Sequence, residues 1–166
     1  MLSKYLSPRN DAAFKRIFNE ERNKDILIHF LNDILPLSSP IKEVSFLKTV
    51  QNAEIASLRA SLIDTLCEDE KGERFIVEMQ VAHEKGFDKR SLYYAARAYL
   101  SQRGAKKAYA ELKTVYYLAI TGFCPFPHKK EWLSHIGLTD LKTNEHDIKS
   151  IQLFFLQLPL FKKTKE

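Results

Sequence analysis

The chain has 166 residues, 45% hydrophobic and 28% charged, with 5 Gly and 2 Cys; this suits one domain over residues 1–166 and excludes wholesale disorder and a disulfide framework. The formal charge of +5 is uneven: residues 1–83 carry 11 Lys/Arg against 13 Asp/Glu, and residues 84–166 carry 15 against 8. A basic second half suits a polyanionic partner, since Lys and Arg displace counterions from phosphates, although a solvated Lys-rich face gives the same count.

Met1 to Asp11 holds no apolar run, so no secretory signal is expected. Ser7, Pro8, Asn10 and Asp11 predict a helix start, followed by Phe14, Ile17 and Phe18 at helical spacing. The stripe resumes at Ile26, Leu27, Phe30, Leu31, Ile34 and Leu35 and stops at Pro36, giving two short helices or one broken helix. A strand is expected within Ile41 to Val50, while Gln51 to Arg59 is ambiguous. Leu62 to Cys67 and Phe75 to Val81 flank the polar turn Glu68 to Glu73, where Gly72 can take positive φ, and predict a hairpin. Its second strand alternates, with Phe75, Val77 and Met79 facing one way and Ile76, Glu78 and Gln80 the other. Asp88 to Arg103 predicts a helix with Leu92, Ala95, Ala96, Tyr99 and Leu100 on its apolar side and Gly104 as its C-cap. Val115 to Ile120 predicts a strand buried on both faces, which makes strand, helix, strand a parallel crossover. Cys124 to Pro127 is a loop, Trp132 to Thr139 fits a strand or a short helix, and Ile151 to Leu158 is a last strand. The longest apolar stretch, around Ile151 to Phe161, is too short to cross a bilayer, so no membrane association is expected. Cys67 and Cys124 fit free thiols in the cytoplasm.

Five glycines and the lack of G-x-G-x-x-G or G-x-x-x-x-G-K-[ST] leave the usual nucleotide-cofactor sites unsupported. No H-E-x-x-H or G-x-S-x-G motif occurs, and His29, His83, His128, His135 and His146 have no close Cys partner, which argues against zinc and against a hydrolase serine. The hairpin is more informative. With its turn centred on Lys71, Asp64 lies across from Glu78, and Gln80 shares their face. Each acid sits among apolar neighbours, where a lone carboxylate is costly to bury, so each needs a partner. A divalent cation is one; Arg59 or Arg74, or simple exposure on a solvated strand face, are the alternatives.

Ile63-Asp64, a short spacer and Glu78-Met79-Gln80 resemble the PD-(D/E)xK nuclease superfamily, and more narrowly its Rpn-like recombination-promoting nucleases and transposases. The resemblance runs along the chain. It takes in Asn10 to Phe18, Asn23 to Leu27, Phe30 to Asn32, Glu73-Arg74, Lys89 to Tyr94, Tyr109 to Lys113 and Phe155 to Pro159. It implies an α/β, restriction-endonuclease-like core with a central mixed β-sheet flanked by helices. It implies metal-dependent endonuclease cleavage of DNA with Mg2+, or Mn2+ as a substitute. Asp64 and Glu78 would be metal ligands with the Met79 carbonyl as a third, and Gln80 would orient water.

The sequence departs from the family pattern at five points. Gln80 stands where the superfamily usually has Lys, so it brings no charge. Ile63 replaces Pro, Gln157 and Leu160 stand for Glu and Lys, and the helical C-terminal region of longer relatives is not seen before Glu166. Asp11 and Lys15, one helical turn apart, could support the site, or could serve as a cap and a solvated cation. Lys89, Arg90, Arg97 and Arg103, with Lys106 and Lys107, form a basic stretch beside Tyr93 and Tyr94 that suits DNA, or a solvated face. The expected function is thus a DNA endonuclease linked to transposition or recombination, with homodimerisation suited to cutting two strands. The alternatives are an inactive or truncated DNA-binding or interaction module of the same fold, and a regulatory partner of a full-length relative.

Overall fold

The computed structural model describes residues 7–47, 63–103 and 108–162. Among these, six strands form one mixed sheet in the order β1-β2-β3-β4-β6-β5. The elements are α1 (Asp11–Phe18), α2 (Lys24–Ile34), β1 (Val44–Phe46), β2 (Thr65–Asp69), β3 (Arg74–Gln80), α3 (Phe87–Leu100), β4 (Val115–Thr121), β5 (Leu133–Gly137) and β6 (Ile151–Gln157). The expected α/β architecture is present.

Helices cover both faces. Asn10 caps α1, its side-chain oxygen accepting from the Ala12 and Ala13 N–H groups, as Ser/Thr/Asp/Asn caps do. Phe14, Leu27 and Leu31 from α1 and α2 pack on Cys67, Phe75, Val77, Leu118 and Phe154. On the opposite face α3 packs over Leu66, Ile76, Val115, Tyr117, Ala119 and Phe155. β4 lies between parallel β3 and β6 and is buried on both faces, as its near-continuous apolar run requires. β5 pairs antiparallel with β6 and forms one edge, which resolves the ambiguous Trp132 to Thr139 stretch as a strand.

The hairpin register follows the expected centre. Thr65 faces Val77 and Leu66 faces Ile76, antiparallel. Gly72 takes φ +82 in the turn, where L side chains are strained. Asp69 forms the rest of the turn, its Oδ1 accepting from the Lys71 and Glu73 N–H groups at 2.9 Å each.

The apolar side of α3 is corrected. Its buried residues are Phe87, Ser91, Tyr94, Ala95 and Ala98, whereas Leu92 and Leu100 are exposed. Small side chains let the helix lie close to the sheet, so the largest aliphatics are not the ones that face it. The helix ends at Leu100, and the proposed Gly104 cap lies outside the described residues. Arg74 instead serves this end, donating to the Ala98 carbonyl at 2.9 Å and to Ser101 Oγ at 2.7 Å, where helix carbonyls lack intrahelical partners. The strand expected within Ile41 to Val50 is limited to Val44–Phe46, with residues 48–50 and the ambiguous Gln51 to Arg59 outside the described residues. No helix among the described residues is long and apolar enough to cross a membrane.

Candidate active site

Three parallel strands end together, and Glu78 lies near the carboxyl end of β3. Open α/β sheets commonly place ligand sites beyond this end. Continuing the Thr65–Val77 pairing by one residue puts Asp64 opposite Glu78, on the face that α3 covers. Both acids are buried, at 5% and 2% exposure. Asp64 Oδ2, one residue before β2 begins at Thr65, accepts the Met79 N–H at 2.9 Å. Lys15 Nζ, reaching from α1, lies 3.4 Å from Asp64 Oδ1. Lys15 and Asp64 therefore meet, although they come from opposite sides of the sheet.

Glu78 is held from two elements. Arg90, on the first turns of α3, donates from Nη2 to Glu78 Oε1 at 2.6 Å and to Gln80 Oε1 at 2.8 Å. Its Nη1 donates to Glu84 Oε2. The Tyr117 hydroxyl, from neighbouring β4, donates to Glu78 Oε2. Burial pushes the Glu78 carboxyl above its usual range; Tyr117 and Arg90 pull it back, and the Asp64 charge pushes it further up. Burial likewise pushes the Tyr117 hydroxyl well up, and the Glu78 charge adds to this. Gln80 turns its amide nitrogen to the Ala82 carbonyl at 2.9 Å. Neither acid takes Arg74, which pairs with Glu68 at 3.1 Å, and Arg59 lies outside the described residues.

The structure thus brings Asp64, Glu78, Met79, Gln80 and Lys15 together. Asp11 opens α1, and its side chain lies outside the described structure. The basic stretch divides. Arg90 points at the carboxylates instead of an open face. Lys89 and Arg103 are exposed, and Arg103 stacks over Tyr109 at 4.3 Å. Arg97 lies over Tyr93 at 5.5 Å. Lys106 and Lys107 are outside the described residues. Sequence reasoning missed Tyr117, whose hydroxyl sits inside an apolar run; its signal was a polar tip on a strand that must lie beside Glu78. Gln157, at the end of β6, is fully buried and donates to the Glu131 carbonyl at 3.0 Å and Ser134 Oγ at 3.3 Å, away from the two acids.

The donor set is one of hard oxygens: two carboxylates and the backbone carbonyl of the strand between them and Gln80. That chemistry fits Mg2+ or Mn2+, which take one or two carboxylates and keep several waters. Among the described residues no three or more His, Cys, Asp or Glu gather to hold a metal.

A family model described as PD-(D/E)XK nuclease family transposase matches residues 8–166. The chain belongs to this family. No curated protein and no solved structure matches it. Membership of the PD-(D/E)XK family accounts for the mixed sheet flanked by helices, and it supports a nuclease role associated with transposases. PD-(D/E)XK nucleases generally use divalent metals, and a nuclease family points to DNA as substrate.

Proposed function

We propose that this PD-(D/E)XK family chain is a Mg2+-dependent DNA endonuclease, with Mn2+ as a working substitute. The observation that carries this is the pairing of Asp64 and Glu78 on one sheet face, buried and one register step past Thr65–Val77. Two buried acids side by side repel each other, and a divalent cation held between them would relieve that repulsion beyond what Lys15 and Arg90 supply. Asp64, Glu78 and the Met79 carbonyl would hold the metal, which supplies charge against the scissile phosphate and activates water. Hydrolysis joins a water oxygen to phosphorus, breaks one P–O ester bond and leaves a proton on the departing oxygen. Gln80 orients the attacking water. Lys15 stands beside Asp64, where a cation also meets a phosphate. Lys89, Arg97 and Arg103 track the DNA backbone.

In this reading residues 1–166 act as one nuclease domain, in the cytoplasm, on DNA, and a homodimer would serve two-strand cutting. The test is plasmid cleavage with Mg2+, with Mn2+ and with chelator, beside Asp64→Ala and Glu78→Ala. Metal-dependent nicking that both variants lose supports the assignment. A second reading, an inactive DNA-binding or interaction module, draws on a specific observation. The carboxylate oxygens of Asp64 and Glu78 already meet Met79 N–H, Lys15, Arg90 and Tyr117. Intact DNA binding without cleavage under either metal would favour it.

A further inference from the structure

The departure at Gln80 leaves the site without the cation that the superfamily motif usually carries on that strand. A neutral amide orients water but cannot offset charge that develops on a phosphate. Arg90 stands at the same place from another element. One nitrogen, Nη2, lies 2.8 Å from Gln80 Oε1 and 2.6 Å from Glu78 Oε1, so the guanidinium sits between the two motif side chains. The sequence alone puts Arg90 on a DNA-tracking face; the contacts put it in the centre.

Three further features bear on its role. Arg90 is only 16% exposed, which strengthens its electrostatic interactions relative to a surface arginine. Its Nε is buried and has no hydrogen-bond partner among the described residues, so the hydrogen bonds of the guanidinium run through Nη1 and Nη2. Its Nη1 is held by Glu84, which is half exposed and leads out of the site. Beside Glu84 lies a cleft of about 270 Å³, lined in part by His83, Gly86, Phe87, Phe123 and Phe126. A guanidinium is planar and always charged, and it presents paired donors to phosphate oxygens.

We infer that Arg90 supplies the positive charge that Gln80 lacks, engaging the scissile phosphate from α3 while Gln80 retains the water-orienting role. This rests on the nuclease reading above. Arg90 passes from Glu84 to the phosphate when DNA enters, and its contact with Gln80 keeps it in line with the motif strand.

The experiment moves the charge back. Arg90→Gln should cut cleavage by about a hundredfold or more, the usual cost of losing a donor aimed at developing charge. Arg90→Lys should retain part of the rate. Gln80→Lys combined with Arg90→Gln should restore cleavage, because the cation returns on the strand. Thermal melting of each variant reports on folding. A second readout needs no turnover. In a Glu78→Gln background, which removes the buried carboxylate as well, Arg90→Gln should lower the salt dependence of DNA binding by about 0.9 in slope, one phosphate contact.

Folded Arg90→Gln that cleaves at the wild-type rate overturns the inference. So does a folded double variant that stays inactive, since the charge that Gln80→Lys adds to the motif strand should then have taken over from the guanidinium. If Arg90→Gln does not fold, the salt slope decides, because Glu78→Gln with Arg90→Gln leaves neither charge buried alone; an unchanged slope then overturns it. Wild-type protein that binds DNA but cleaves with neither metal overturns the nuclease reading itself, and the slope still reports on Arg90.

Discussion

The Tyr117 hydroxyl on β4 donates to Glu78 Oε2 on β3, tying the middle strand of the sheet to the buried acid. The two residues are not directly opposed: Tyr117 faces Ile76, and Glu78 faces Ala119. The bond is a diagonal one on a single face. Tyr117→Phe should therefore cost about 1.5–3 kcal/mol, because a buried, charged acceptor loses a donor while the ring keeps its place. Urea denaturation measures this. A change below about 0.5 kcal/mol would mean that the bond contributes nothing in solution.

Glu84 holds Arg90 Nη1 from a half-exposed position, where ion pairs are worth about 0–1 kcal/mol. Glu84→Gln should leave the melting temperature nearly unchanged and tighten DNA binding at low salt. One negative charge leaves the mouth of the site, and Arg90 is released toward the phosphate. Fluorescence anisotropy with a labelled duplex measures it; weaker binding would contradict the placement.

The buried side of α3 can be tested by substitution. Leu92→Gln and Leu100→Gln should each stay within about 0.5 kcal/mol of wild type, since both side chains are exposed. Ala98→Leu should cost about 1–3 kcal/mol by overpacking the helix against the sheet. It should also impair cleavage, because α3 carries Arg90.

Asp69 lies in the hairpin turn, away from the two acids. Burial pushes its carboxyl above the usual range, and Oδ2 is buried with no hydrogen-bond partner among the described residues. Folding thus disfavours the charged form. The group favours the fold below the ordinary carboxylate range, and that contribution is lost as pH rises through the raised folded value. Asp69→Asn keeps the turn acceptor and removes the charge. It should melt higher than wild type at pH 7, and the difference should vanish toward about pH 3. A gap that widens in acid would reverse the sign.

The hairpin was legible because its period is two and its turn carries Gly72, so one centre fixes every facing pair, including Asp64 and Glu78. The β4 run was legible because only a strand covered on both faces reads as continuously apolar. The α3 stripe was not, because helix-to-sheet distance selected Ser91, Ala95 and Ala98 over Leu92 and Leu100. The contact of Arg90 with Glu78 and Gln80 was not legible for a related reason. Its long side chain reaches Glu78 across a loop and a strand end, a contact that no local spacing encodes. Tyr117 was hidden inside an apolar run, since its ring is core and only its hydroxyl belongs to the site. Spacing alone left open whether Asp64 and Glu78 are a metal pair or two ordinary strand acids, and it is the family resemblance that implies the first.

The central claim is that Asp64 and Glu78 hold a divalent cation together. Calorimetric titration of the purified chain with Mn2+ tests it without any substrate. Wild type should bind, and binding should weaken at least about tenfold in both Asp64→Asn and Glu78→Gln, each folded by thermal melting. Mn2+ binding of equal strength in wild type and both variants would contradict it.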